Sequence, residues 1–541
     1  MRTMLMRAAL AALAALAAVP AAAQDVEILS QQSGIPLPQG YWDRVRRDPG
    51  FFETRRGWRN RLSASPGGPL AATAPARGNL RMAVLLGLFS DSPEPVVTSA
   101  ALQQQLFGTN PMGNLTQYYH EISLGRMNIT GTVGPWVRTS LPRAEVVGQS
   151  YGLGIDASLG WYLIDVLARS DQHIDFGQFD NDGPDNVPNS GDDDGYVDLA
   201  AFQFNEVAAS CGGPGVWPHR SWLTGLIGVA YSTRDLRPDG HPIMVDDYHM
   251  QSSVECDGTP QSISVMAHET GHAFGLPDWY DASEGLLPAE RRWVHGCWTL
   301  MAGGSWGCGD GASFGKTPRP SHLGPLDKIA MGWAAATRAQ PGWRRTYTLN
   351  PVQQSGDLLQ VPLVGEFEFL LLEYRPNTGF DSELPAGGVL VHHIDLFRPL
   401  RLTCFTCPRL YYWSLLEADG DGALRRSAGE GGNRGAAGDI FNGRRLLDDR
   451  SQPVLALNSG QPAGVAMEID VSGGQARITV STVPTVATAP LLAPLLGSAG
   501  GPLTADERAA LDYFGNRDGA YDLGDLRVYM RYRPTTVRQG A

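Results

Sequence analysis

The first apolar stretch of the chain, Ala8 to Val19, contains only Ala, Leu and Val. Arg2 and Arg7 precede it, and Pro20 and Ala21 to Ala23 follow it. The run is too short to cross ~30 Å of hydrocarbon. Its charged start and small-residue end predict a signal peptide over residues 1–23 and hence an exported, secreted protein. Residues 24–78 lose the pattern, with Pro36, Pro38, the Arg44–Arg47 stretch and a Gly- and Pro-containing turn near Pro66, and form a separate N-terminal segment. From Arg81 to Leu88 the chain is again apolar with few breaks, over a length that suits a buried strand. This strand opens a first domain, expected over 79–339. Beyond Gln340, short runs such as Gln360–Val364, Phe367–Tyr374, Val389–Val391 and Ala476–Val480 predict strands without intervening helices. They indicate an all-β, sandwich-like domain over 340–483. Residues 484–503, rich in Pro, Ala, Gly and Leu, are expected as a linker to a charged tail module over 504–541. The expected class is therefore multidomain α+β.

Helical periodicity returns at Ile263, Val265 and Met266, and the chemistry follows directly: His268, Glu269, Thr270, Gly271, His272. Two His four residues apart on a helix project from one face and can reach one metal ion. Glu269 lies one residue along, where a carboxylate can reach a metal-bound water as general base. Gly275 suits a left-handed turn and Pro277 cannot continue a helix, so the chain reverses and can bring Asp278 back as a third ligand. Two His and one carboxylate leave a coordination position open, the mark of a catalytic zinc.

Composition narrows the class. With 43% apolar and 18% charged residues the chain is globular, neither disordered nor a multi-span membrane protein. Its net charge of -13 and its two lysines, Lys316 and Lys328, argue against nucleic acid as a partner. Six cysteines in an exported chain predict disulfides, with 15 possible pairings. Closeness in sequence favours Cys297 with Cys308 and Cys404 with Cys407, leaving Cys211 with Cys256. Oligomeric state is not readable.

Two further stretches carry oxygen donors at close spacing. Asp180, Asp182, Asp185, Asp192, Asp194 and Asp198 alternate with Gly and Asn, as a calcium site requires. In the tail, Asn516, Asp518, Asp522 and Asp525 resemble half of a dockerin or EF-hand-like loop, but Phe514 occupies the first ligand position, which points to a degenerate, metal-free module. His392 and His393 fall on a predicted strand, where they point to opposite faces and take structural roles.

The stretch from His268 to Asp281, the turn Leu300-Met301-Ala302-Gly303-Gly304, and Leu326 to Trp333 resemble the metzincin clan of zinc peptidases, and within it the immune inhibitor A-like secreted metalloproteases. Tyr118 to Gly125, Gly387 to Asp395 and Leu416 to Asp419 extend the resemblance. It implies a metzincin-like α/β catalytic domain that hydrolyses peptide bonds in protein or peptide substrates, with Met301 as an apolar floor beneath the zinc. It also implies that residues 24–78 are a latency prosegment; no Cys precedes Cys211, so a cysteine switch is excluded. The commoner metzincin pattern has His where Asp278 stands and Tyr where Gly303 stands. The rival reading is a secreted adhesion or carbohydrate-binding protein with a vestigial peptidase domain, and the intact Glu269 argues against it.

Overall fold

The computed structural model describes residues 77–532, except 184, 284, 286, 312–316, 365–367, 397–409 and 498–501. The expected signal peptide, nearly all of the expected prosegment, the Cys404–Cys407 pair and the last residues of the tail lie outside the described residues.

The apolar run at Arg81 is the middle of β1 (Gly78–Leu88), which lies between β2 (Met127–Arg138) and β3 (Leu199–Phe204), parallel to both. A central parallel strand is covered on both faces, which explains why its hydrophobic residues run on without alternation. Leu80, Met82, Val84 and Leu86 face one core, and Ala83 and Leu85 face another beneath the helix Leu159–Ser170. β4 (His219–Trp222) is the antiparallel edge of this sheet. β5 (Tyr231–Leu236) and β6 (Pro242–Val245) make a separate ribbon, and β7 (Asp247–Ser252) completes the order β2-β1-β3-β7-β4. The helix Ser264–Ala273 packs on the Met82 face, where Met266 and Ala267 join the first core.

The rest of the chain builds two more sheets. β8 (Ala335–Arg338), β10 (Asp357–Pro362), β11 (Glu368–Arg375), β12 (Gly388–Asp395) and β13 (Trp413–Leu415) form one, in the order β13-β12-β11-β10-β8. β9 (Arg345–Leu349), β14 (Arg444–Leu447), β15 (Val465–Ser472) and β16 (Gln475–Thr482) form the other. Val361, Leu370 and Val391 of the first meet Met467, Ile469 and Ile478 of the second in a shared core. The opposite face of the five-stranded sheet is not open to water. Leu358, Phe369, Leu371, Ile394 and Trp413 join the core that holds Met266 and Met301.

That junction contains buried charge. Lys328 donates to Glu373 at 2.6 Å, and Arg375 pairs with Asp381. Burial alone would raise the carboxyl of Glu373, but Lys328 and Arg375 hold it well below the ordinary carboxylate range. His392 and His393 point to opposite sides of β12: His392 accepts from the indole of Trp413 at 3.0 Å, and His393 lies 2.8 Å from Glu368.

Residues 484–503, expected as a linker, contain instead a helix over Thr488–Leu496. Its Leu491 is buried with Val486, Leu503, Leu511 and Tyr529, so a segment with turn-forming composition orders because it has an apolar face to cover. The tail helices Ala505–Phe514 and Leu523–Tyr532 then dock on the last sheet, where Tyr513 donates to Asp448 at 2.7 Å and Arg517 pairs with Asp449 at 2.8 Å. Among the described residues no helix is long and apolar enough to cross a membrane.

Candidate metal centre

The helix Ser264–Ala273 is held in place by polar contacts as well as packing. The Tyr119 hydroxyl donates to the carbonyl of Ala267 at 2.7 Å, and Tyr118 donates to the carbonyl of Ser321 at 2.7 Å, which gives the Tyr118–Tyr119 pair its structural role. Beyond that anchorage, the rings of His268 and His272 stand nearly perpendicular, with centroids 4.8 Å apart.

The helix ends where the sequence predicts. Gly275 takes φ +86°, a left-handed conformation that costs other residues strain, and the chain turns back over the last turn. The reversal brings Asp278 Oδ1 to 3.1 Å from His268 Nε2 and 3.5 Å from His272 Nε2. Each imidazole also has a backbone partner on its far nitrogen: His268 Nδ1 lies 2.9 Å from the carbonyl of Leu300, and His272 Nδ1 lies 2.8 Å from the carbonyl of Leu276. A carbonyl only accepts, so Nδ1 carries the proton, and in the neutral ring Nε2 presents a lone pair. Two imidazole lone pairs and a carboxylate oxygen therefore converge with no proton between them. That arrangement repels itself unless a cation occupies the centre, and it fits a metal ion. Without one, the site recruits a proton: burial opposes charging His272, but the Asp278 carboxylate raises it to about 9.

Glu269 is 5% exposed, and its Oε2 has no hydrogen-bond partner. Burial raises its carboxyl above the usual range, against the pull of His272 and His268. Met301 is fully buried against the helix: a Cβ built on Gly271 would lie 2.5 Å from its sulfur, so only Gly at 271 permits the approach. The Met301 turn contributes backbone as well, since Leu300 accepts from His268 and the Met301 carbonyl accepts from the amide of Trp279 at 2.7 Å. The disulfide Cys297–Cys308 brackets this turn, and Cys211–Cys256 forms the second bridge; both pairings are those expected.

Two neighbours of Asp278 carry no expectation from the sequence. The Tyr280 hydroxyl donates to Asp278 Oδ2 at 3.0 Å, and the Trp279 indole donates to Asp327 at 2.7 Å while its ring meets Trp413 of β13 with centroids 4.7 Å apart. Both residues lie inside the stretch that carries the family resemblance, but nothing in the spacing shows what they touch.

The acidic loop differs from its expected ligand set. Asp180, Asp182 and Asp193 bring carboxylate oxygens within 4.8 Å of one another. Asp193 was not among the expected ligands. Asp193 accepts from the amides of Gly183 at 2.6 Å and Ser190 at 3.0 Å, Asp185 from that of Val187, Asp194 from Tyr196 and Asp198 from Asn181, and Asp192 accepts from the Ser190 hydroxyl. Asp180 is 1% exposed with Oδ1 unpartnered, and burial together with Asp193, Asp194 and Asp182 pushes its carboxyl up to about 7. In the tail, Asp525 is fully buried and accepts from the amides of Asn516 and Asp522, both at 2.8 Å. Asn516 donates to Asp518 at 2.9 Å and to Asp522 at 3.3 Å. A further acidic group, Glu417, Asp419 and Asp421, starts in the Leu416–Asp419 motif and ends two residues beyond it.

Residues 100–333 match the model of the immune inhibitor A peptidase M6 catalytic domain. Immune inhibitor A of Bacillus thuringiensis subsp. alesti is 28% identical over 272 residues, covering 43% of this chain and 36% of that protein. The pre-pro-metalloprotease PrtV of Vibrio cholerae serotype O1 is 28% identical over 215 residues, covering 37% of this chain and 22% of that protein. The chain thus matches about a third or less of the length of these relatives. The matched residues 100–333 include the helix with His268, Glu269 and His272, the returning Asp278 and the Met301 turn, and over this part the chain is similar to the immune inhibitor A peptidase M6 catalytic domain.

Proposed function

We propose that the protein is a zinc-dependent metalloendopeptidase, exported from the cell, that cleaves peptide bonds in proteins. The observation that carries this reading is the convergence of His268 Nε2, His272 Nε2 and Asp278 Oδ1 beside the buried, unpartnered carboxylate oxygen of Glu269. Zinc held by His268, His272 and Asp278 would supply Lewis-acid chemistry, polarising a carbonyl and lowering the pKa of a coordinated water to about 7.

The remaining work falls to the chain. His268 and His272 are fixed in one tautomer by the Leu300 and Leu276 carbonyls, so no rearrangement precedes binding. Glu269 takes the proton of the attacking water and passes it to the leaving amine. Its burial suits that task, because a carboxyl raised above its ordinary range holds the proton long enough to deliver it. Met301 closes the floor with a side chain that neither titrates nor competes as an oxygen donor. Residues 24–78 act as the latency segment of this reading.

We assign calcium to Asp180, Asp182 and Asp193, with Asp180 Oδ1 as the buried oxygen that calls for a cation.

Casein digestion by the secreted protein, after limited proteolysis to remove the N-terminal segment, tests the peptidase reading with Glu269→Ala in parallel. The variant should lose roughly 10²- to 10⁴-fold in cleavage while keeping its zinc. Cleavage by Glu269→Ala within a few-fold of the wild type would refute the role of Glu269, and no cleavage by a zinc-loaded, processed wild type would refute the activity.

A further inference from the structure

Asp278 is the one ligand candidate outside the helix, so its aim depends on what holds its second oxygen. Oδ1 faces the two imidazoles, and Oδ2 accepts from the Tyr280 hydroxyl at 3.0 Å. A carboxylate free to turn about its terminal torsion, which is broad and roughly two-fold, can present either oxygen or both. Pinning one of them gives the other a single direction.

Tyr280 is itself held. The guanidinium carbon of Arg291, a residue only 3% exposed, sits 4.3 Å from the centroid of the Tyr280 ring. The same guanidinium lies 5.4 Å from the ring of Trp293 and 5.5 Å from that of Trp306. A desolvated cation against aromatic faces holds them more tightly than the same contact in water does. The next residues on each strand of chain complete the brace: Asp281 donates its amide to the carbonyl of Arg292 at 2.8 Å, and Arg292 returns the bond at 2.9 Å. The Tyr411 hydroxyl adds a bond to Asp281 at 2.9 Å. The ring stack would survive replacement of Tyr280 by Phe; only the hydroxyl reaches Asp278.

We propose that Tyr280 is a positioning residue of the metal centre: its hydroxyl, aimed by the stack of Arg291 with Tyr280, Trp293 and Trp306, turns Asp278 so that a single oxygen faces His268 and His272. This rests on the reading of those three residues as the metal ligands.

The test measures the zinc dissociation constant of the full chain by competition with a chelator, for Tyr280→Phe, Tyr280→Leu and His272→Ala, together with the visible spectrum of the cobalt(II)-loaded proteins and the Tm of the metal-free ones. Tyr280→Phe should weaken zinc by about 10- to 100-fold, the usual effect of removing a partner of a metal ligand. It should also shift the cobalt bands, with the metal-free Tm unchanged. Wild-type zinc affinity and an unchanged cobalt spectrum in Tyr280→Phe, alongside loss of zinc in His272→Ala, would overturn the proposal. So would loss of affinity in Tyr280→Leu alone, because ring packing would then hold Asp278. Wild-type zinc affinity in His272→Ala would instead remove the metal centre on which the proposal stands. The cobalt spectrum reads only folded protein, so the answer does not depend on equal yields.

Discussion

Two regions of the chain are dense in side chains that bind cations, and they employ them in opposite ways. At the end of the helix Ser264–Ala273, each imidazole gives Nδ1 to a backbone carbonyl and leaves Nε2 facing Asp278. In the tail loop, Asp525 uses both oxygens on amides of its own loop, and Asn516 bridges Asp518 and Asp522. The first arrangement leaves lone pairs with nothing of the chain's own to accept, and the second leaves few. Donor density alone therefore says little about metal binding; what matters is whether the chain's N–H groups have already consumed the donors. The acidic loop near residues 180–198 is intermediate, since Asp185, Asp193, Asp194 and Asp198 accept from amides while Asp180 Oδ1 has no partner.

The largest effect that would sharpen this contrast is at the helix. His272→Ala should lose its bound zinc and more than about 100-fold in casein cleavage, beyond what loss of an outer-shell partner costs. Asp522→Ala in the tail should change neither zinc content nor cleavage. Equal zinc loss in both would erase the distinction between the two regions.

A smaller effect is expected at the acidic loop. Saturating calcium at 100 times its Kd should stabilise the protein by about 2.7 kcal/mol, read as a rise in Tm, and Asp180→Asn should lose most of that rise. The pH dependence has a definite sign. Burial and the neighbouring carboxylates push Asp180 up to about 7 in the cation-free fold, above the ~3.9 of an unfolded Asp. The folded state then binds more protons than the unfolded one between those values, so calcium-free stability falls as pH rises from about 4 to about 7 and levels off above. Urea unfolding in EGTA at pH 5 and pH 8 checks this, and a protein equally stable at both would count against an unneutralised Asp180.

The smallest effect is expected in the tail. Asp525→Ala should destabilise the loop between the last two helices by about 1–3 kcal/mol, the cost of leaving buried amides unpaired. Hydrogen exchange across residues 505–532 would report it, with cleavage unchanged. Protection of that segment by calcium in the wild type would show that the tail resembles the acidic loop more than the present comparison allows.

Much of the architecture was legible because it is local. The run at Arg81 read as a buried strand since a central parallel strand needs apolar side chains on both faces. The strands around Phe367 and Val389 were visible by the same reasoning, but not the Lys328–Glu373 and Arg375–Asp381 pairs, because a buried charge looks like a surface charge until its partner is known. The helix within residues 484–503 is hidden for a related reason: turn-forming composition does not reveal that Leu491 has a tail core to cover. Within Asp192–Asp194, three like residues in a row gave no basis for choosing Asp193 as the inward-facing one.

What the amino-acid order determined by itself follows from helix geometry and backbone sterics. Four-residue spacing puts His268 and His272 on one face with Glu269 beside them, and Gly275 supplies the left-handed turn that returns Asp278. The tertiary structure alone decided which lone pairs remain unspent. The Leu300 carbonyl that orients His268 lies 32 residues away, Trp413 of the distant strand β13 meets Trp279, and Arg291 braces Tyr280 across the Asp281–Arg292 bridge. Hydrogen-bond saturation is a property of neighbours in space, and neighbours in space are what a single sequence leaves undetermined.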